Sequence, residues 1–379
     1  MPRVAGVTLP VRARRATTTF GKLDQAFLIE FQIPSGKDFA LTAPPSVSPR
    51  LSILDQSPIP QGATAGDALR NTIDLARRAD ALGYHRYWLA EHHGTPGLAC
   101  ASPEVMIGPV ASATSRIRVG TGGIMLPHYS PLKVAETFSM LSSLYPGRID
   151  LGLGRAPGTS ASVAHALQRD RRQPPPDDFR EQLEELLGYF AHRKQPAGPF
   201  RQIPALTFTS PEPWLLGSSP QSAVWAAELG LPYAFADFIN PEGAAYAAYY
   251  REHFQPSERL AAPRVAVAVW AICAETSEEA LRLSASSRVM FLHLYRGKLI
   301  PIPPVEWALD YLRQEDAPIT LLPPNRRMIT GTPPEVRAAI QAVAAEYGAE
   351  EALVVNIMYD HQARRHSYEL MAEAFGLRG

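Results

Sequence analysis

The chain has 379 residues, of which 46% are apolar, and its 37 basic and 37 acidic side chains leave no net charge. That length holds one large domain or two ordinary ones, and the apolar share is that of a globular protein with a buried core. The charge balance argues against a global basic field for nucleic acid or anionic membrane, and no apolar run approaches the ~18–20 residues that span a bilayer.

Residues 1–50 lack helical periodicity and close on Pro44, Pro45 and Pro49. They read as an irregular extension with at most a short strand over 27–33, and no function is assigned to them. Arg3, Arg12, Arg14 and Arg15 precede no apolar core of the signal-peptide kind.

A second region, 51–379, opens with a strand over 51–54. Thr64 and Asp67 form a capping pair for a helix whose apolar residues Leu69, Ile73, Leu75, Ala76, Ala79 and Leu82 recur at helical spacing, and Gly83 stops it. A strand over 87–90 follows. Ser102-Pro103 and Ser130-Pro131 each open a helix, on either side of a strand over 117–120. The fourth strand covers 149–153.

The alternation then loosens. Residues 156–176 read as a loop excursion, 178–190 as a helix and 196–213 as irregular or hairpin-like. Strands over 214–217, 233–236 and 264–274 alternate with helices over 222–229, closed by Gly230, over 241–254 and from 277 to about 292. A proline-rich excursion over 293–328 precedes a helix over 333–347, a strand over 352–357 and a last helix over 363–375. Eight strand–helix units predict an α/β protein of the (β/α)8 TIM-barrel kind with loop excursions. The rival, an open doubly wound sheet, lacks its Gly-x-Gly-x-x-Gly loop after the first strand.

In a parallel barrel the C-terminal strand ends carry the active site. Three such ends break abruptly into glycine, charge or histidine: Glu91-His92-His93, Gly120-Thr121-Gly122-Gly123 and Gly154-Arg155. Adjacent strand residues diverge, so Glu91, His92 and His93 do not all line one site, and the run makes a poor metal site. The glycines allow close backbone approach. Arg155 suits a phosphate or carboxylate, or an ion pair with a neighbouring loop. Ser218, Ser219 and Ser222 stand where a helix N-terminus would offer free N–H groups to an anion, or serve as a simple N-cap. Asp55-Gln56, Met125 and His128-Tyr129 are further strand-end candidates. His361, His366 and Tyr368 read as surface or packing residues, and Trp88, Trp214, Trp225 and Trp270 as packing aromatics. Cys100 and Cys273 have neither metal nor redox spacing, which fits a reducing cytoplasm.

The runs 89–93, 118–127 and 145–155 resemble the bacterial luciferase-like flavin monooxygenase family, and 216–227, 331–336 and 367–375 also fit. The resemblance covers about residues 50–379. It implies a TIM barrel that binds FMN at its C-terminal mouth. It implies that His92 is the catalytic histidine, that Glu91 lies beside the flavin ring and that Met125 is among the cofactor-binding residues. Gly122 and Gly123 match a pair joined by a cis peptide under that ring. Arg155, Ser219 and Ser222 match phosphate-binding positions, and Ser218 stands where bacterial luciferase has an acid. Reduced FMN from a separate NAD(P)H:flavin reductase, together with O2, would oxidise a small organic substrate, in a homodimer that binds neither nucleic acid nor membrane. An F420-dependent hydride-transfer enzyme and a non-catalytic flavin-binding protein are the alternatives; a metal hydrolase fits least.

Overall fold

The computed structural model describes residues 48–155, 159–174, 176–191 and 209–379. Residues 1–47 of the expected extension and most of the stretch 196–213 therefore lie outside the described residues, while Arg50, read as part of the extension, already belongs to the first strand.

The strands are β1 (Arg50–Asp55), β2 (Arg86–Leu89), β3 (Arg118–Met125), β4 (Ile149–Gly154), β5 (Glu212–Gly217), β6 (Tyr233–Ala236), β7 (Val265–Cys273), β8 (Ile329–Gly331) and β9 (Glu351–Val355). All pairings between them are parallel. β1 to β6 pair in sequence, β6 pairs with β7, β7 with β9 and β9 with β1, which closes an eight-stranded barrel. The short β8 extends β7 alone. The helices are α1 (Ala65–Leu82), α2 (Pro103–Ser112), α3 (Pro131–Leu144), α4 (Ala161–Leu167), α5 (Phe179–Phe190), α6 (Pro220–Glu228), α7 (Ala244–His253), α8 (Ser277–Tyr295), α9 (Val305–Gln314), α10 (Pro333–Tyr347) and α11 (His361–Phe375). Among the described residues no helix is long and apolar enough to cross a membrane.

The local signals act as expected in α1, where Thr64 and Asp67 form a reciprocal capping box and Gly83, at φ 87°, closes the helix in the left-handed region. Three readings need correction. β3 does not stop at Gly120 but runs through the glycines to Met125, with a register shift against β4 between Thr121 and Ile124. α6 starts at Pro220, two residues before the expected start, because proline at the first helical position is preorganised and Ser219 takes the N-cap. The excursions hold α4 and α9. The prolines of that excursion lie outside α9, Pro301, Pro303 and Pro304 before it, with Pro304 at its N-cap, and Pro318, Pro323 and Pro324 after it, while Ala308 and Leu312 bury its inner face.

Alternation along the strands fills the lumen in layers. At the N-terminal end is a charged layer. Arg86 meets Asp150 at 2.9 Å and Glu351 at 2.9 Å; Arg118 meets Glu212 at 2.9 Å, and Arg264 meets Glu212 at 3.0 Å. Above it, Trp88 and Trp214 pack edge to face at 5.4 Å, with the Trp88 indole N–H donating to Asp150 at 2.9 Å. Gly120 makes the room: a Cβ there would sit 2.6 Å from the Asp150 Cβ and 3.0 Å from the Trp88 indole nitrogen. The third layer, toward the mouth, is apolar, with Ala90, Trp270, Val355 and Ile357.

Candidate active site

The end of β1 is held by a buried ion pair. Asp55 accepts from Arg364 at 2.5 Å, from the Ser57 N–H at 2.7 Å and from the Tyr87 hydroxyl. Burial alone would raise this carboxyl, but the Arg364 charge and the hydrogen bonds from Tyr87 and Ser57 outweigh it and hold Asp55 below its ordinary range. Ser57 is in the left-handed region at φ 47°. This turn sets Gln56 across from the end of β2, where its Oε1 meets the His92 Nε2 at 2.7 Å. An acceptor there puts the ring proton on Nε2. The His92 backbone N–H is separately anchored on the Cys100 carbonyl at 2.9 Å.

Past the end of β2, His92 and His93 make separate contacts. His93 meets Glu91 at 2.8 Å and packs edge-on to His128 at 5.9 Å. Glu91 is 1% exposed, and its other oxygen accepts the Met125 N–H at 3.0 Å, while the Tyr129 phenol also bonds to it. Its carboxylate therefore ties the end of β2 to the end of β3.

The Gly122–Gly123 peptide within β3 is cis. A Cβ on Gly122 would lie 2.4 Å from the Leu54 side chain, and one on Gly123 would lie 2.8 Å from the Gly152 carbonyl. The backbone contact requires glycine at 123, whereas a side chain at 122 would have to displace the end of Leu54. Met125 is paired in register with Gly154, and its thioether would be in contact with any Cβ placed there.

Next to Gly154, the exposed Arg155 sets its guanidinium over the Trp225 ring at 5.5 Å. Trp225 is one turn beyond Ser222 on α6, so Arg155 lies along the helix whose N-terminus is at Ser219. Gly217 lets this helix approach β5: a Cβ there would be 2.0 Å from the Ser222 Oγ. Ser222 turns its hydroxyl inward, donating to the Ser219 carbonyl at 2.7 Å and meeting the Tyr233 hydroxyl at 2.9 Å. What Ser222 offers outward is its N–H, which, like that of Gln221, has no intrahelical acceptor. Ser218 contributes its carbonyl to Asn240 at 3.1 Å.

All eight sequence-derived site residues thus cluster at the C-terminal strand ends, in two groups bridged by β3 and β4. Glu91, His92, Gly122, Gly123 and Met125 form one, and Arg155, Ser219 and Ser222 the other. His361 and His366 are elsewhere, on α11, bonded to Asp74 at 2.9 Å and Glu275 at 2.5 Å. Sequence reasoning passed over Arg326, whose guanidinium donates to the Phe238 carbonyl, just past β6, at 3.0 Å. The only signal was the charged step Asn325-Arg326-Arg327 before the apolar Met328-Ile329.

The family model described as luciferase-like monooxygenase matches residues 50–356. A luciferase-like monooxygenase of Escherichia coli K12 is 41% identical over 320 residues, covering 84% of this chain and 95% of that protein. The N-acetyl-S-alkylcysteine monooxygenase of Bacillus subtilis is 37% identical, covering 86% of this chain and 98% of that protein. The crystal structure of apo-MsnO8 superposes with a TM-score of 0.78 at 39% identity, covering 88% of this chain and 99% of that one. A closed parallel barrel with its motifs gathered at one mouth and these matches along almost all of the described barrel agree: the chain belongs to the luciferase-like monooxygenase family of oxidoreductases.

Proposed function

We propose that this enzyme takes reduced FMN from a separate NAD(P)H-dependent reductase and uses it with O2 to oxidise a small organic substrate in the cytoplasm. The observation that carries the reading is the donor set at the mouth. A guanidinium held along α6 and the free N–H groups at that helix's start suit a phosphate, and they lie one strand pair away from the His92–Gln56 contact. Reduced flavin supplies the electrons that activate O2. Arg155, Ser219 and the N–H groups of Gln221 and Ser222 hold its phosphate. Gly122, Gly123 and Met125 leave room for the ring, and Glu91 fixes that backbone through the Met125 N–H. His92 holds or moves a proton at its ring nitrogen near the reacting edge. The excursion over 293–328 covers the mouth and excludes water.

The test is anaerobic mixing with reduced FMN followed by oxygen, while the flavin spectrum is recorded. A transient absorbance, distinct from reduced and oxidised flavin and longer-lived than in free buffer, is expected. Failure to bind reduced FMN, with tight binding of F420, would move the assignment to hydride transfer. Binding with no protected transient and no substrate-dependent O2 use would leave a flavin-binding protein.

Arg155→Ala is expected to weaken FMN at least about tenfold, the scale of a lost charge-assisted contact, and riboflavin hardly at all. Equal losses for the two flavins, measured by fluorescence titration, would remove the phosphate role.

The enzyme also works as a homodimer through α2 and α3, in this proposal, because Val105 (67% exposed), Met140 (54%) and Leu144 (69%) turn large apolar side chains to solvent on these two packed helices. Val105→Glu combined with Met140→Glu is expected to halve the mass seen by light scattering, and an unchanged mass would place the interface elsewhere.

A further inference from the structure

Above the lumen's apolar layer lies a second set of side chains that the flavin reading leaves unused. Phe238, Phe291, Ile300, Leu322, Met328 and Tyr359 pack against the lumen cluster that contains Trp270, Met290 and Ile302. Among these groups stand donors without acceptors. The Trp270 indole N–H is buried with no hydrogen-bond partner, on a side chain only 1% exposed. The Ser286 hydroxyl, on α8 one helical turn before Met290, is likewise buried and unpartnered. A buried donor left unmade is costly, so such groups mark places where something else supplies the acceptor.

Arg326 completes the set. In the run between the turn at Asn325 and β8, Arg327 pairs with the buried Asp237 and with Glu346, Arg326 reaches the carbonyl of Phe238, and Met328 packs onto the lumen cluster. Arg326 touches the Phe238 carbonyl, and among the described residues no carboxylate pairs with it. Burial, with no counter-charge, pushes its guanidinium below the ordinary arginine range. Its neighbour takes two carboxylates and it takes none, although the two are adjacent in sequence.

We propose that the partly buried apolar side chains at this end of the lumen receive the substrate, that the substrate has an apolar body and one carboxylate, and that Arg326 holds that carboxylate, with the Trp270 N–H as a further donor. The proposal rests on reading the mouth as a substrate site, and it adds the substrate's chemical class. Carboxylate geometry matches the planar guanidinium fork, and the surrounding Phe238, Phe291 and Met328 side chains reward an apolar chain while strengthening the charge pairing by excluding water.

The probes are octanoate and 1-octanol, titrated calorimetrically into the flavin-free protein. Octanoate is expected to bind at least about tenfold more tightly than octanol. Arg326→Met is expected to abolish that preference and leave octanol binding within about twofold, and Arg326→Lys to recover part of it, because lysine keeps the charge but not the fork. Equal affinity for the two probes in the wild-type protein, or an octanoate preference that survives Arg326→Met, would overturn the proposal. So would an Arg326→Met variant that loses FMN but keeps riboflavin, since that result would give Arg326 to the flavin phosphate. The two readings fail separately. The octanoate preference is measured without flavin, whereas the oxygen-mixing experiment is run without octanoate.

Discussion

Arg86→Met is expected to destabilise the protein by about 3–5 kcal/mol, the usual cost of removing one partner from a buried charge pair. Arg86 is 1% exposed, and it meets Asp150, Glu351 and, at 3.6 Å, Glu212. Burial alone would lower its guanidinium, but these three carboxylates outweigh that and raise it, so the charge is retained deep in the barrel. Methionine replaces most of the volume, including the packing of the guanidinium on the Trp214 ring at 4.7 Å, but none of the charge. The two carboxylates then fare differently. Asp150 keeps Arg118 and the Trp88 indole, whereas Glu351 keeps the Ser52 hydroxyl at 2.5 Å and only one distant guanidinium, Arg50 at 4.0 Å. The stranded charge is therefore mainly Glu351. Adding Glu351→Gln to Arg86→Met is expected to recover about 1 kcal/mol or more, a coupling that chemical denaturation of the two single and the double variants would read. A loss below about 1 kcal/mol for Arg86→Met, with no coupling, would mean that the barrel floor does not depend on this pairing.

Barrel and floor were legible to different depths. The strands could be found because each is a short apolar run bounded by glycine, proline or charge, a signal that needs no knowledge of its neighbours. The charged residues at the start of β2, β3, β4, β5 and β9 gave no such signal. Their meaning depends on closure, which brings Arg86 to Glu351 across 265 positions of sequence. The same distinction runs through the mouth. Glycines and histidines at strand ends mark His92, Gly122 and Arg155 as candidates on local grounds. Gln56 becomes a partner of His92 only through the register that sets Leu54 beside Trp88 and Asp55 beside Leu89. Where local rules misled, a second rule competed. Glycine reads as the end of a strand, yet β3 continues through Gly122 and Gly123 because β4 has glycine at 152 and 154 to receive it. Proline reads as a break, yet Pro220 begins a helix and Pro304 caps one. Arg326 was hidden for another reason. An arginine in a proline-rich excursion is unremarkable until its neighbour is seen to hold two carboxylates and it none.

His92→Ala is expected to leave FMN affinity within about threefold and to lower coupled oxygenation by about 10²–10⁴, the range of general acid–base catalysis. The affinity prediction follows from placement. Arg155 and the start of α6 are on the far side of the β3–β4 pair from His92, and alanine preserves the backbone N–H that anchors residue 92 to the Cys100 carbonyl. The oxygenation prediction follows from chemistry. Imidazole is the group at this mouth that can give or take a proton near neutral pH, and Gln56 sets which nitrogen carries it. O2 use without product formation would be the sign of lost coupling, read by comparing oxygen consumed with substrate oxidised. Unchanged coupling would remove His92 from the chemistry. Gln56 is a positioning residue, because it acts through His92, and Gln56→Glu separates the two roles. A carboxylate 2.7 Å from Nε2 favours the imidazolium, so the histidine pKa rises and the neutral base is reached only at higher pH. The acid limb of the pH–rate profile should then move to higher pH while the FMN affinity holds. An altered rate with an unmoved limb would mean that Gln56 serves only to pack the end of β1.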